Sequence, residues 1–164
     1  MRIFIASSGE RLNMAIEVGS WLEGMNVEPV LWNEPEVFPL GAYTWDALID
    51  LSENVDAAIF IFGEDDQIWF RGESTMTVRD NVLLEYGLFS GKLSKANTIF
   101  LCDGRPKLAS DLEGITWGDI RKKNSVRIKL ENWINSIRAS NQKKVKGFKI
   151  TDLNDAFQIA LKNQ

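Results

Sequence analysis

Between Arg79 and Phe89 the chain reads Arg79-Asp80-Asn81-Val82-Leu83-Leu84-Glu85-Tyr86-Gly87-Leu88-Phe89. As a helix, this stretch sets Asn81 and Glu85 four residues apart and therefore on one face. Val82, Leu83, Leu88 and Phe89 give the helix an apolar anchor. A carboxylate among such neighbours is costly to bury unless it is paired. Glu85 is therefore either a structural partner of Asn81 or a group at work in the wall of a pocket. A lone carboxylate in that position can steady an oxocarbenium ion during glycosidic cleavage. Leu84 and Leu88 beside it would strengthen its field on a developing cation. A leaving base that is already cationic, such as the nicotinamide of NAD, departs neutral and needs little acid catalysis. The chain has no histidine. That excludes a Ser-His-Asp triad, a Cys-His pair and most zinc sites, and no metal ligand set is assigned.

The elements that must position Glu85 follow from alternating short apolar runs and amphipathic stretches, the pattern of a βα fold with a mostly parallel sheet. Strands are expected at Arg2–Ala6, Val27–Trp32, Val55–Phe62 and Thr98–Asp103, with a short fifth near Ile115–Trp117. Helices are expected over Glu10–Glu23, Thr44–Leu51, Val78–Lys92, Ser125–Arg138 and Leu153–Lys162. Ser7-Ser8-Gly9 reads as a turn that caps the first helix, and Thr44 as the cap of the second. Gly63 to Thr75 reads as a polar loop and Ser140 to Gly147 as a linker.

In an open parallel sheet, ligands collect outside the carboxyl ends of the strands. Four segments converge there: the Ser7-Ser8-Gly9 turn, the loop from Trp32 to Leu40, the loop after Phe62, and the start of the Arg79 helix. Ser7 and Ser8 offer hydroxyls and backbone N–H groups at a helix start, suited to phosphate, or they only cap that helix. Trp32 and Phe38 can stack on a base or a nicotinamide ring. Trp32 is equally explained as strand-end core, whereas Phe38, between Pro35 and Pro39, is harder to place in one. Asp65 and Asp66 are either ribose contacts or a solvated acidic loop. Arg79 and Asp80 either pair with each other or cap the helix.

The 164 residues suffice for one domain and an appendage. The single cysteine, Cys102, lies in an apolar run and reads as a buried strand residue; with no disulfide framework, a cytoplasmic setting is expected. No run is long enough to span a membrane, and the start is too short for a signal peptide. Net charge is −4, divided as −7 over residues 1–139 and +3 over 140–164. An acidic body is a poor surface for a nucleic-acid polymer.

Four segments occur in order: Ile3 to Glu10, Leu31-Trp32-Asn33 with Val37 to Gly41, Arg79 to Phe89, and Lys107 to Ile115. Together they resemble the bacterial TIR-like domains described as predicted nucleotide-binding proteins, among them the TIR domains of TIR–STING fusions and related antiphage effectors. The likeness covers roughly residues 1–120, and four ordered motifs make it specific. It implies an α/β, flavodoxin-like TIR fold: a five-stranded, mostly parallel sheet with helices on both faces. It implies cleavage of NAD to nicotinamide and an ADP-ribose product, with NAD as substrate and no cofactor. Glu85 would be catalytic. Ser7, Ser8, Trp32 and Phe38 would flank the substrate, and Arg79, Asp80 and Asn81 would help bind it. The resemblance also implies that TIR–TIR assembly completes the site, downstream of a cyclic-nucleotide sensor such as a STING domain, fused or separate. Ala109 stands where the family often has proline, away from the expected pocket. Residues 1–139 would then form the catalytic domain, and 140–164 a basic linker and helix leading toward a partner module. Two other readings stay open: a non-catalytic signalling scaffold and a nucleoside deoxyribosyltransferase-like enzyme. Glu85 and the Arg-Asp-Asn triplet favour catalysis over a scaffold; the Trp32–Gly41 and Lys107–Ile115 motifs argue against the transferase.

Overall fold

In the computed structural model, which describes residues 1–35, 37, 43–112 and 114–147, and of 143–147 the backbone only, the apolar runs assemble into one parallel sheet. Its strands are β1 (Arg2–Ser7), β2 (Glu28–Leu31), β3 (Ala57–Gly63), β6 (Thr98–Asp103) and β7 (Gly118–Asp119). They lie in the order β2-β1-β3-β6-β7, and every pairing is parallel. This is the doubly wound, flavodoxin-like order, with its switch point between β1 and β3. β3 is buried along its whole length, as its unbroken apolar sequence requires.

Side chains alternate across the strands. On one face, Ile5 of β1 and Pro29 of β2 meet Gly19 of α1 (Leu12–Gly24), which turns Ala15, Val18 and Leu22 inward. On the other face, Phe4, Phe60, Phe62 and Phe100 pack against α2 (Thr44–Glu53) and α3 (Asp80–Leu93). Phe89 of α3 stacks on Phe4 at 4.9 Å between ring centroids. Tyr86 meets Phe60, Phe62 and Phe100 edge-on at 5.5–5.6 Å. Edge-to-face pairs contribute about 0.5–1.5 kcal/mol each beyond area burial, so Tyr86 is the main pin of α3.

The chain divides into two compact units, Met1–Lys129 and Leu130–Gln164. α4 (Lys123–Gly147) begins in the first and ends in the second. It continues through Ser140 to Gly147, so the stretch expected as a linker is helical. The helix expected over 153–162 lies outside the described residues. No described helix is long and apolar enough to cross a membrane.

Three local expectations need correction. The expected polar loop after β3 is a hairpin of β4 (Asp66–Phe70) and β5 (Glu73–Thr77). Its two turn residues, Arg71 and Gly72, both have positive φ (51° and 90°), the backbone of a type I′ turn that suits strand twist. The helix caps also differ. Ser8 precedes a short 3-10 turn (Gly9–Arg11) without a side-chain cap bond, and Tyr43, not Thr44, occupies the cap position of α2. The last strand falls at Gly118–Asp119, just beyond the expected Ile115–Trp117.

Candidate functional site

Glu85 is placed by the residues around it in α3. Val82 and Phe89, three before and four after, are buried, so Glu85 flanks the core stripe and is half-buried. Lys92 lies two turns further on the same helix face and donates to Glu53 of α2 at 3.3 Å. Tyr43, just before α2, and Trp45 in its first turn are exposed. Leu84 beside it is 59% exposed. Burial alone raises the Glu85 carboxyl from its ordinary 4.5 to about 7. Among the described residues no hydrogen bond or ion pair reaches that carboxylate, including from Asn81, so the pairing with Asn81 is not formed. Asn81 is exposed, and its N–H donates to the Asp80 carboxylate at 2.7 Å. Asp80 is exposed in the first turn of α3, where a negative charge suits the helix dipole.

The β1 end carries further candidate residues. The indole N–H of Trp32 donates to Ser7 Oγ at 3.0 Å, and the Ser7 hydroxyl donates to the Ser8 carbonyl at 2.9 Å. Ser7 therefore holds Trp32 in place, and its donor is already committed. The ring of Trp32 packs on the aromatic core while remaining half-buried. The Ser8 hydroxyl is buried without a well-formed hydrogen bond. It lies near enough to Glu10 to help lower that carboxyl, behind the larger effects of a backbone N–H and of Arg79. Phe38 lies outside the described residues.

Arg79 does not pair with Asp80. Its Nη2 donates to Glu10 at 2.9 Å and to Asp66 of β4 at 3.4 Å. It thereby ties the turn after β1 to the hairpin. Asp65 is neither solvated nor turned outward: its side chain is 1% exposed and faces Arg11 at 3.3 Å. The same Arg11 Nε lies 3.3 Å from Asp103 at the end of β6. This buried cluster under the switch point escaped sequence reading, because its members are far apart in the chain. Cys102 is a buried strand residue, and burial pushes its thiol up to about 12.

A half-buried carboxylate with no partner among the described residues, carried on a helix, can stabilise a developing cation near a sugar. The fold agrees with that of a TIR domain. The TIR domain of the Toll-related receptor TRR-2 from Hydra magnipapillata matches with a TM-score of 0.62, over 83% of this chain and 97% of that one, at 15% identity. The family model described as "CAP12/Pycsar effector protein, TIR domain" matches residues 2–122. The chain belongs to that family. It is 34% identical to CD-NTase-associated protein 12 of Sphingobacterium faecium, over 84% of this chain and 42% of the relative. It is 37% identical to Pycsar effector protein PaPycTIR of Pseudomonas aeruginosa, over 70% of this chain and 37% of the relative. The chain thus spans about two fifths of the length of these curated relatives.

Proposed function

We propose that this chain is an NAD-cleaving effector domain, and that Glu85 is its catalytic group. The observation that carries the reading is the Glu85 carboxylate: half-buried, unpaired among the described residues and pushed up to about 7 by burial alone. In the reaction, the bond between the ribose C1′ and the nicotinamide nitrogen breaks, and its electron pair leaves with the base, which becomes neutral. The positive charge moves to the ribose, where ionised Glu85 stabilises it. Water then adds at C1′ and releases one proton, giving ADP-ribose. No cofactor is required. Trp32 and Phe38 would line the substrate, Ser7 would orient Trp32, and Ser8 with Arg79, Asp80 and Asn81 would complete the binding rim.

Membership in the CAP12/Pycsar TIR family supports an effector role in antiphage defence, and the reading sets that role in the cytoplasm. The names of the relatives, a CD-NTase-associated protein and a Pycsar effector, support action with a cyclic-nucleotide signal; on this reading a sensor such as a STING domain, fused or separate, would receive that signal. Self-association would cover exposed apolar side chains such as Leu84, Tyr43 and Trp45. The test is free nicotinamide released from NAD by assembled wild-type and Glu85→Gln chains. Glu85→Gln is expected to lose at least about a hundredfold in rate with the fold intact. Equal release by the two chains would remove Glu85 from this role, and no release by either would favour a signalling scaffold.

A further inference from the structure

A second group of charges sits at the other end of the sheet from β2. A cavity of about 300 Å³ opens where β6 and β7 end and α4 begins, and Arg105, Trp117, Asp119, Arg121, Lys122 and Lys129 line it. Four cations and one carboxylate thus line it, with Asp103 and Glu64 near enough to act on Arg121. The lining carboxylate is already satisfied: Arg121 Nε and Nη2 donate to the two oxygens of Asp119 at 2.9 and 3.0 Å. Lys123, next in the chain, is taken by Glu17 at 2.6 Å. Among the described residues, no carboxylate lies within ion-pair distance of Arg105, Lys122 or Lys129. Among the described residues Lys129 reaches the Trp117 carbonyl, at 3.4 Å. The backbone N–H of Arg105, not its guanidinium, bonds Glu64.

The start of α4 makes the excess charge more costly. Its first turn contains no acid, and Arg121-Lys122-Lys123 leads into it. Cations at the positive end of a helix dipole are unfavourable. Local rules broken in this way tend to mark functional positions. A bound anion would offset both the crowded cations and the unfilled N–H groups of that turn.

We propose that this cavity binds a small phosphorylated ligand, its di- or triphosphate held by Arg105, Lys122 and Lys129 against the Trp117 ring. The ligand is small because the whole chain carries −4: a polyanion feels that repulsion along its length, while a compact anion feels mainly the local field. The site is separate from Glu85 and stands whether or not Glu85 is catalytic.

The experiment is calorimetric titration of the full chain with inorganic pyrophosphate at near-physiological salt. Saturable one-site binding is expected, and the Lys122→Gln/Lys129→Gln chain should bind about tenfold more weakly or worse. These lysines are exposed, so an unchanged melting transition verifies the fold. Glu85→Gln should bind pyrophosphate as wild type does. Absence of saturable binding, or equal affinity in the double variant, would overturn the proposal. So would a single-stranded oligonucleotide that displaces pyrophosphate and binds more tightly than it does.

Discussion

At the residue scale, Glu85 controls two quantities that should move in opposite directions with pH. Its carboxyl is raised from 4.5 to about 7 because burial disfavours the charged form. The folded chain therefore keeps this proton to a higher pH than the unfolded chain does. Stability from this group is fully present below the unfolded value and is lost as pH rises through about 7. The loss amounts to something on the order of 3 kcal/mol. Glu85→Gln removes it, so the variant should gain on wild type in unfolding free energy between mildly acid and mildly alkaline buffer. A constant difference between the two chains would contradict this. Cation stabilisation, in contrast, needs the ionised carboxylate. The kcat/KM for NAD should rise about tenfold per pH unit up to about 7 and then level off, and a flat profile through that range would count against Glu85.

At the element scale, the turn after β1 and the β4–β5 hairpin are held by two arginines. Arg79 bridges Glu10 and Asp66, while Arg11 sits between Asp65 and Asp103. Gly63 at the end of β3 makes the second arrangement feasible: a Cβ there would collide with Arg11 Nε and lie 2.8 Å from Asp65. Gly63→Ala should displace the guanidinium and leave Asp65 buried without its cation, costing about 3 kcal/mol in urea unfolding. An unchanged midpoint would mean that Arg11 relocates freely. The Tyr86 cluster acts differently. It fixes α3 on the sheet and so fixes where its neighbour Glu85 sits.

At the scale of the whole molecule, the chain is a TIR domain of the CAP12/Pycsar effector family and spans about two fifths of its curated relatives. Leu84, Tyr43 and Trp45 are exposed apolar side chains, and they form the proposed contact rim. If another copy must cover that rim, the dilute chain should be nearly inactive. Nicotinamide release per chain should then rise with protein concentration or on tethered assembly. Equal turnover per chain at high dilution would contradict the requirement.

The sequence alone determined the parallel α/β sheet, the buried position of Cys102 and the helix that carries Glu85, because apolar periodicity is a local signal set by burial. The hairpin was hidden because β5 is mostly polar, the apolar residues Ile68, Trp69 and Phe70 of β4 run consecutively instead of alternating, and its turn is Arg-Gly rather than Asn-Gly. Only the tertiary structure decided which groups meet. Ser7 met Trp32, Arg79 met Glu10 and Asp66 rather than Asp80, and Arg11 met Asp65 and Asp103. Such pairings join residues from different strand ends, and their partners depend on distance in space and on which charges are withdrawn from water. The order of residues along the chain encodes neither quantity directly.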